Sequence, residues 1–355
     1  MSKIEWTGKT WNPVVGCTIH SSGCKGCYAM KDAYRLMHNP NARIAEKFAG
    51  TARMVNGHAV WTGKLNLSED ALLAPLRRRT PTTWFVNSMS DLFHEDMPVE
   101  WIDRIFAVMG LCPQHTFQVL TKRAVRMRAY LSVRKAAAPI NVPVGDGTLG
   151  QHPFNDELKP PANVWIGVSI EDQRAADGRI LQLLKTPAAV RFLSCEPLIG
   201  SVDLKRVCIG EGDVDQTQPH AEGLKHVRFN IDALKGVQSF KWPALDWVIC
   251  GGESGSTARP MHPDWARSLR DQCDAAGVPF FFKQWGEWAP GENAIGPATR
   301  TEQTAEWDGE RWFFSSLTPR MSEELHYDDA PDVYRLGKKA CGRWLDGVEH
   351  NGMPV

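Results

Sequence analysis

The sequence predicts an α/β chain folded as a partial or complete (β/α) barrel with inserted loops. Two observations carry this. Seven short apolar runs recur, at 10–15, 83–87, 116–121, 164–169, 190–195, 246–251 and 279–283, and they are near-continuous, as strands buried on both faces are. Stretches with helical spacing lie between them, and repeated strand–helix units favour a parallel sheet with right-handed crossovers.

Each helix has its own signals. A helix over 69–79 follows Ser68, a good N-cap. Another over 98–110 starts at Pro98 and puts Ile102, Ile105, Phe106 and Met109 on one face. Helices over 172–185 and 263–276 follow, the second opening at Pro263 and stopping before Gly277. A last helix, about 333–346, carries Leu336, Ala340 and Trp344. Three segments interrupt the rhythm: 139–161 is rich in Pro and Gly, 201–244 mixes charges and turn formers, and 289–325 is polar with interspersed Trp and Pro. The expected organisation is a barrel over 1–288 with insertions at 139–161 and 201–244, a polar insertion at 289–325, and a C-terminal helix within 326–355 packed on the barrel.

Composition narrows the class. The 355 residues, 43% hydrophobic and 23% charged, suit a soluble chain with a large core. No run approaches the roughly 18 apolar residues of a membrane span, and the start lacks an apolar leader, so the expectation is a cytoplasmic protein with no membrane partner. Of nine cysteines, Cys112, Cys195, Cys208, Cys250, Cys273 and Cys341 are scattered singly, a pattern of core thiols in a reducing compartment. Net charge is zero, yet residues 1–135 hold 19 Lys+Arg against 10 Asp+Glu. Arg77, Arg78, Arg79, Lys122, Arg123, Arg126 and Arg128 supply much of this surplus, as an anion-attracting surface or as solvated helix faces.

The densest motif is WNPVVGCTIHSSGCKGCYAM, Trp11 to Met30. Its cysteines, Cys17, Cys24 and Cys27, are spaced C-x6-C-x2-C. Three close thiols suit a metal or cluster better than a disulfide, and three ligands leave one iron of a [4Fe–4S] cluster open. Gly16, Gly23 and Gly26 beside the cysteines allow unusual backbone angles. His20 opens an alternative, a Cys3His zinc set in a non-catalytic nucleic-acid-binding protein. A cluster used only to sense redox state is a third reading.

The segment resembles the cluster loop of radical S-adenosylmethionine (SAM) enzymes, with Tyr28 beside the last cysteine and a first gap of six residues instead of three. More broadly, the blocks IEWTGKTWNPVVGC, GCKGCYA, FVNSMSDLFH, LTKR, VWIGVSIED, FLSCEPL, VICGGESG, FFKQWGEW and GKKACGRWLDG resemble a phage and prophage family of unassigned function that is itself radical-SAM-like. The resemblance implies a barrel of radical SAM type and a [4Fe–4S] cluster on Cys17, Cys24 and Cys27. It further implies an electron donor and reductive cleavage of SAM to a 5′-deoxyadenosyl radical. It implies no particular substrate.

In a parallel barrel, functional groups gather where strands end. Here the second to fourth strand ends offer Ser88, Asp91, Lys122, Ser169 and Glu171, suited to the amino, carboxylate and ribose groups of SAM. The later ends offer Glu196, Glu253, Lys283 and Gln284, suited to a polar substrate. Gly251-Gly252-Glu253 follows the sixth strand, so it is not carried over as the methionine-binding motif that radical SAM enzymes place after the second. Trp285 and Trp288 lie just beyond, as stacking platforms for a planar base or as core. With the basic surplus, they put DNA, RNA or a nucleotide among the expected partners.

Overall fold

The computed structural model describes residues 4–133, 141–145, 147–151, 161–213, 226–293, 302–317 and 332–354. Seven parallel strands form one sheet, in the order in which they occur in the chain: Lys9–Trp11, Thr83–Val86, Thr116–Thr121, Val164–Ile170, Val190–Cys195, Trp247–Gly251 and Phe280–Gln284. The first and seventh are not joined, so the barrel is open.

The sheet is curled, and one side chain proves it. Neighbouring strands stand about 4.8 Å apart, so a flat sheet would separate the second from the fifth by about 14 Å. Yet the Trp6 ring lies 4.8 Å from that of Phe85 and 6.1 Å from that of Phe192. Trp6, Phe85, Phe192, Trp247, Ile249 and Phe281 thus form an apolar plug on the concave face. The alternate residues, among them Trp84, Phe117, Ile166, Leu193, Val248 and Phe282, enter the larger core on the convex face, because side chains alternate with a period of two.

Helices cover that outer face. Val99–Gly110 buries Ile102, Ile105, Phe106, Val108 and Met109, each such side chain contributing about 1.5–3 kcal/mol. Gln173–Leu184 is capped by Asp172, whose carboxylate accepts from Ala175 N at 2.8 Å. Pro263–Ala276 has His262 as N-cap and ends at Gly277, whose φ of 69° is left-handed. These three helices lie close to their expected bounds.

Other expectations need correction. Of the run 10–15 only Thr10 and Trp11 join the sheet, in the strand Lys9–Trp11; Val14–Val15 pairs antiparallel with Asn66–Leu67. The helix expected over 69–79 is Glu69–Leu72 alone, capped by Ser68; Pro75 disfavours the helical region for the residue before it. In place of a helix over 333–346 there is the strand Val333–Tyr334, paired with Glu302–Trp307, and a short helix Lys338–Cys341 between Gly337 and Gly342, both with positive φ. Each of the three interrupting segments contributes a two-stranded antiparallel pairing: Asn141–Val144 with Thr148–Gln151, Val207–Asp213 with His226–Ile231, and Glu302–Trp307 with Trp312–Leu317. Parts of all three expected insertions, and of the span 326–355, lie outside the described residues. Among the described residues no helix is long and apolar enough to cross a membrane.

Candidate metal centre at the barrel mouth

The cysteine loop folds back over the carboxyl ends of the strands. Ser22–Cys24 makes a single 3-10 turn, and the helix Tyr28–Met37 starts directly after Cys27. Cys27 therefore stands at a helix N-terminus, where exposed N–H groups favour negative charge. The N–H groups of Ala29 and Met30 favour the thiolate, yet burial outweighs them and keeps the thiol raised. Burial also pushes the Cys17 thiol up to about 12. Charge on Cys27 opposes that on Cys17, and charge on Cys24 opposes that on Cys27. The thiols thus form one set that a cationic centre would ionise. Among the described residues no three His, Cys, Asp or Glu close on a single metal ion.

Two glycines let this loop sit where it does. A Cβ on Gly23 would stand 2.6 Å from Lys122 Nζ, and one on Gly26 would overlap Glu253 Oε1. Their role is close approach; of the three glycines singled out by the motif, only Gly16 has positive φ, at 101°.

The first half of the loop is clamped by Arg123, 5% exposed. Its guanidinium donates to Glu95 Oε2 (2.6 Å), Asp91 Oδ2 (3.1 Å), Thr18 Oγ1 (2.7 Å) and Cys17 Sγ (3.8 Å). Burial opposes its charge, but Asp91 and Glu95 outweigh burial and hold it protonated. His94 accepts from Asp96 N at Nδ1, so its Nε2–H donates to Thr18 Oγ1 at 2.8 Å. His20 faces Glu95 at 3.8 Å, and burial with the Arg123 and Arg179 charges lowers its pKa.

The inner parity of the strands carries their end groups into the mouth. Lys122 Nζ meets Glu171 Oε2 at 3.1 Å, and Arg179 Nη1 meets the same oxygen at 2.8 Å. Burial would raise the Glu171 pKa, but Lys122 and Arg179, with a hydrogen bond from Ser21 of the loop, hold it at about 2. Lys122 and Glu171 line a cavity of about 860 Å³ with His20, Ser21, Arg126 and Arg174, within the size range of small-ligand sites. Across the mouth, Lys283 Nζ pairs with Glu196 Oε1 at 2.5 Å. Glu253 is held by Arg259 through Nε (2.8 Å), Nη2 (2.7 Å) and the backbone N (2.9 Å).

Not every expected residue faces the cavity. Asp91 has its carboxylate taken up by Arg123, Thr121 (2.6 Å) and the N–H groups of Phe93 and Lys122, so it positions the loop. Ser88 exchanges hydrogen bonds with Asn12, and its carbonyl accepts from Tyr28 at 3.2 Å. Ser169 is buried, and its carbonyl accepts from Arg179. Gln284 is buried and donates to Ser254 Oγ at 3.2 Å. Trp285 and Trp288 are 1% and 3% exposed; their N–H groups donate to the carbonyls of Trp344 and Ala258. They are core, and the stacking-platform expectation is withdrawn. Arg77 pairs with Asp70 and Arg78 with Thr82, so part of the basic surplus is spent locally. Arg179 and Arg259 were not foreseen; their one signal is a cation six or eight residues after a mouth carboxylate.

Fold and site together define a class: an open parallel α/β barrel with a three-cysteine loop seated on its mouth. The chain belongs to the family described as "Protein of unknown function (DUF5131)", whose profile matches residues 1–354. No curated protein matches it significantly. Among solved structures it is similar to "Spore photoproduct lyase complexed with dinucleoside spore photoproduct", at 11% identity and a TM-score of 0.33. The match covers 74% of this chain and 60% of that one, so the chain spans less than two thirds of its length.

Proposed function

We propose that this protein is a radical-SAM-type iron–sulfur enzyme acting on a polar substrate. One observation carries the reading: the loop that bears the three thiols sits at the mouth of a parallel barrel, its Gly23 against Lys122 and Glu171 and its Gly26 against Glu253. Cys17, Cys24 and Cys27 would hold a [4Fe–4S] cluster, which with SAM supplies one-electron cleavage to a 5′-deoxyadenosyl radical.

The chain's own groups bind, orient and exclude water. Lys122 offers a cation for a carboxylate, and Glu171, ionised at any neutral pH, offers acceptors for an amine or a ribose. Both already touch the loop, Lys122 through Gly23 and Glu171 through Ser21. Glu196 and Lys283 supply an acceptor and a donor on the opposite side, suited to a substrate with several hydrogen-bonding groups. A nucleotide or nucleic acid meets that requirement, though without base stacking on Trp285 or Trp288.

Anaerobic purification with iron and sulfide analysis tests the cluster, with about four irons per chain expected. Titration calorimetry then tests SAM. Binding should weaken at least tenfold in Glu171→Ala at unchanged iron content. Colourless protein with one tight zinc, lost on His20→Ala, would overturn the reading in favour of a zinc protein.

A further inference from the structure

We infer that Arg123 is a positioning residue that sets the reduction potential of the centre held by Cys17, Cys24 and Cys27, in opposition to Asp91. The inference rests on the cluster reading above and adds a role for residues outside the ligand set.

Among the described residues, Arg123 is the one charged side chain that donates a hydrogen bond to a motif sulfur, at 3.8 Å from Cys17. Hydrogen bonds to ligand sulfurs, net charge and solvent exposure are the levers by which a protein tunes such a centre. All three meet here. The guanidinium is buried, so water screens its field poorly. Its second nitrogen holds Thr18, the next residue, at 2.7 Å. That contact fixes the approach of the loop as well as the charge.

The sign follows from electron count. Reduction adds one electron to the centre, and no bond to Arg123 is made or broken. A cation and an N–H directed at the ligand sulfur stabilise the more negative, reduced state. Asp91 acts the other way. Its buried carboxylate is 3.1 Å from the Arg123 nitrogen that points to Cys17 and carries the opposite charge. Arg123 therefore compensates Asp91, and removing it leaves the carboxylate acting alone on the sulfur. Glu95 is the outer partner, more than half exposed, and its influence on the sulfur is the more heavily screened.

The test is a redox titration of the anaerobically prepared holoprotein with dithionite and mediators, read by electron paramagnetic resonance alongside iron content. Arg123→Gln should lower the potential enough to cut the reduced-to-oxidised ratio at fixed potential at least tenfold, about 59 mV for one electron. Asp91→Asn should raise it, and Arg123→Lys should fall between Arg123→Gln and the wild type. A purely structural role would not move the two removals in opposite directions. Equal potentials at full iron content, or shifts of the same sign, would overturn the inference while leaving the cluster reading intact. Should Arg123→Gln shed its iron, Asp91→Asn and Arg123→Lys decide the question. Wild-type protein without iron and sulfide would instead sink the reading on which the inference rests.

Discussion

Gly26 and Glu253 touch across the barrel mouth, one from the cysteine loop and the other from the end of the sixth strand, with no room for a Cβ between them. The carboxylate is a flexible group in principle, but Arg259 grips it through two side-chain nitrogens and a backbone N–H. It cannot swing aside without breaking those bonds. Gly26→Ala should therefore destabilise the fold by about 1–3 kcal/mol, the range for overpacking, and should lower iron retained per chain. A urea midpoint equal to that of the wild type would show that the contact yields freely.

The Glu171 carboxyl is held at about 2 in the folded chain against an ordinary 4.5. A depressed carboxylate contributes stability above its unfolded pKa and loses it as the pH falls toward its folded one. The window is thus about pH 4.5 down to about 2, and the amount is roughly 3 kcal/mol. Urea midpoints should drop across that window, and Glu171→Gln should flatten the drop. A Glu171→Gln profile parallel to the wild type would place the acid sensitivity elsewhere.

Lys283 and Glu196 are partly sheltered, and each leaves the other uncompensated when removed. Lys283→Met should cost about 1–3 kcal/mol, as should Glu196→Gln, whereas the double variant should cost less than their sum. The coupling measured in a double-mutant cycle checks this. Additive costs would mean the pair is not formed in solution.

Trp285 is core, with its N–H on the Trp344 carbonyl at 2.8 Å. Trp285→Phe should cost about 1–3 kcal/mol for the lost hydrogen bond and lost volume, although the Trp344 carbonyl keeps Asn293 Nδ2 as a donor at 3.1 Å. It should leave any binding to single-stranded DNA or RNA unchanged. A filter-binding loss without a stability change would restore Trp285 as a stacking platform.

Much of the fold was legible because strands buried on both faces leave continuous apolar runs, and all seven marked real strands. The run 10–15 was too long because Val14 and Val15 are equally apolar while pairing elsewhere. Leu336, Ala340 and Trp344 have true helical spacing, but spacing does not register that Gly337 and Gly342 take positive φ. At the mouth, Lys122, Glu171 and Glu196 were legible from their place just after strands, and Lys283 from its place near the end of one. The clamp was not: Arg123 stood out only as one basic residue among several, since its partners at 17, 18, 91 and 95 are brought to it by the curl of the sheet. The tryptophans misled because an indole beside a strand end reads alike whether it faces a ligand or a carbonyl.

Spatial order equals chain order in this sheet, and that has a consequence for biosynthesis. A nascent chain emerging from the ribosome can add each strand to the one before it, with no long-range search. The cysteine loop is made first, yet Gly23 gains its seat only when Lys122 and Glu171 have emerged, and Gly26 only when Glu253 has. The three thiols are thus translated early and enclosed late. On the cluster proposal, an assembly factor that delivers iron and sulfur would have the interval between those two events in which to reach them.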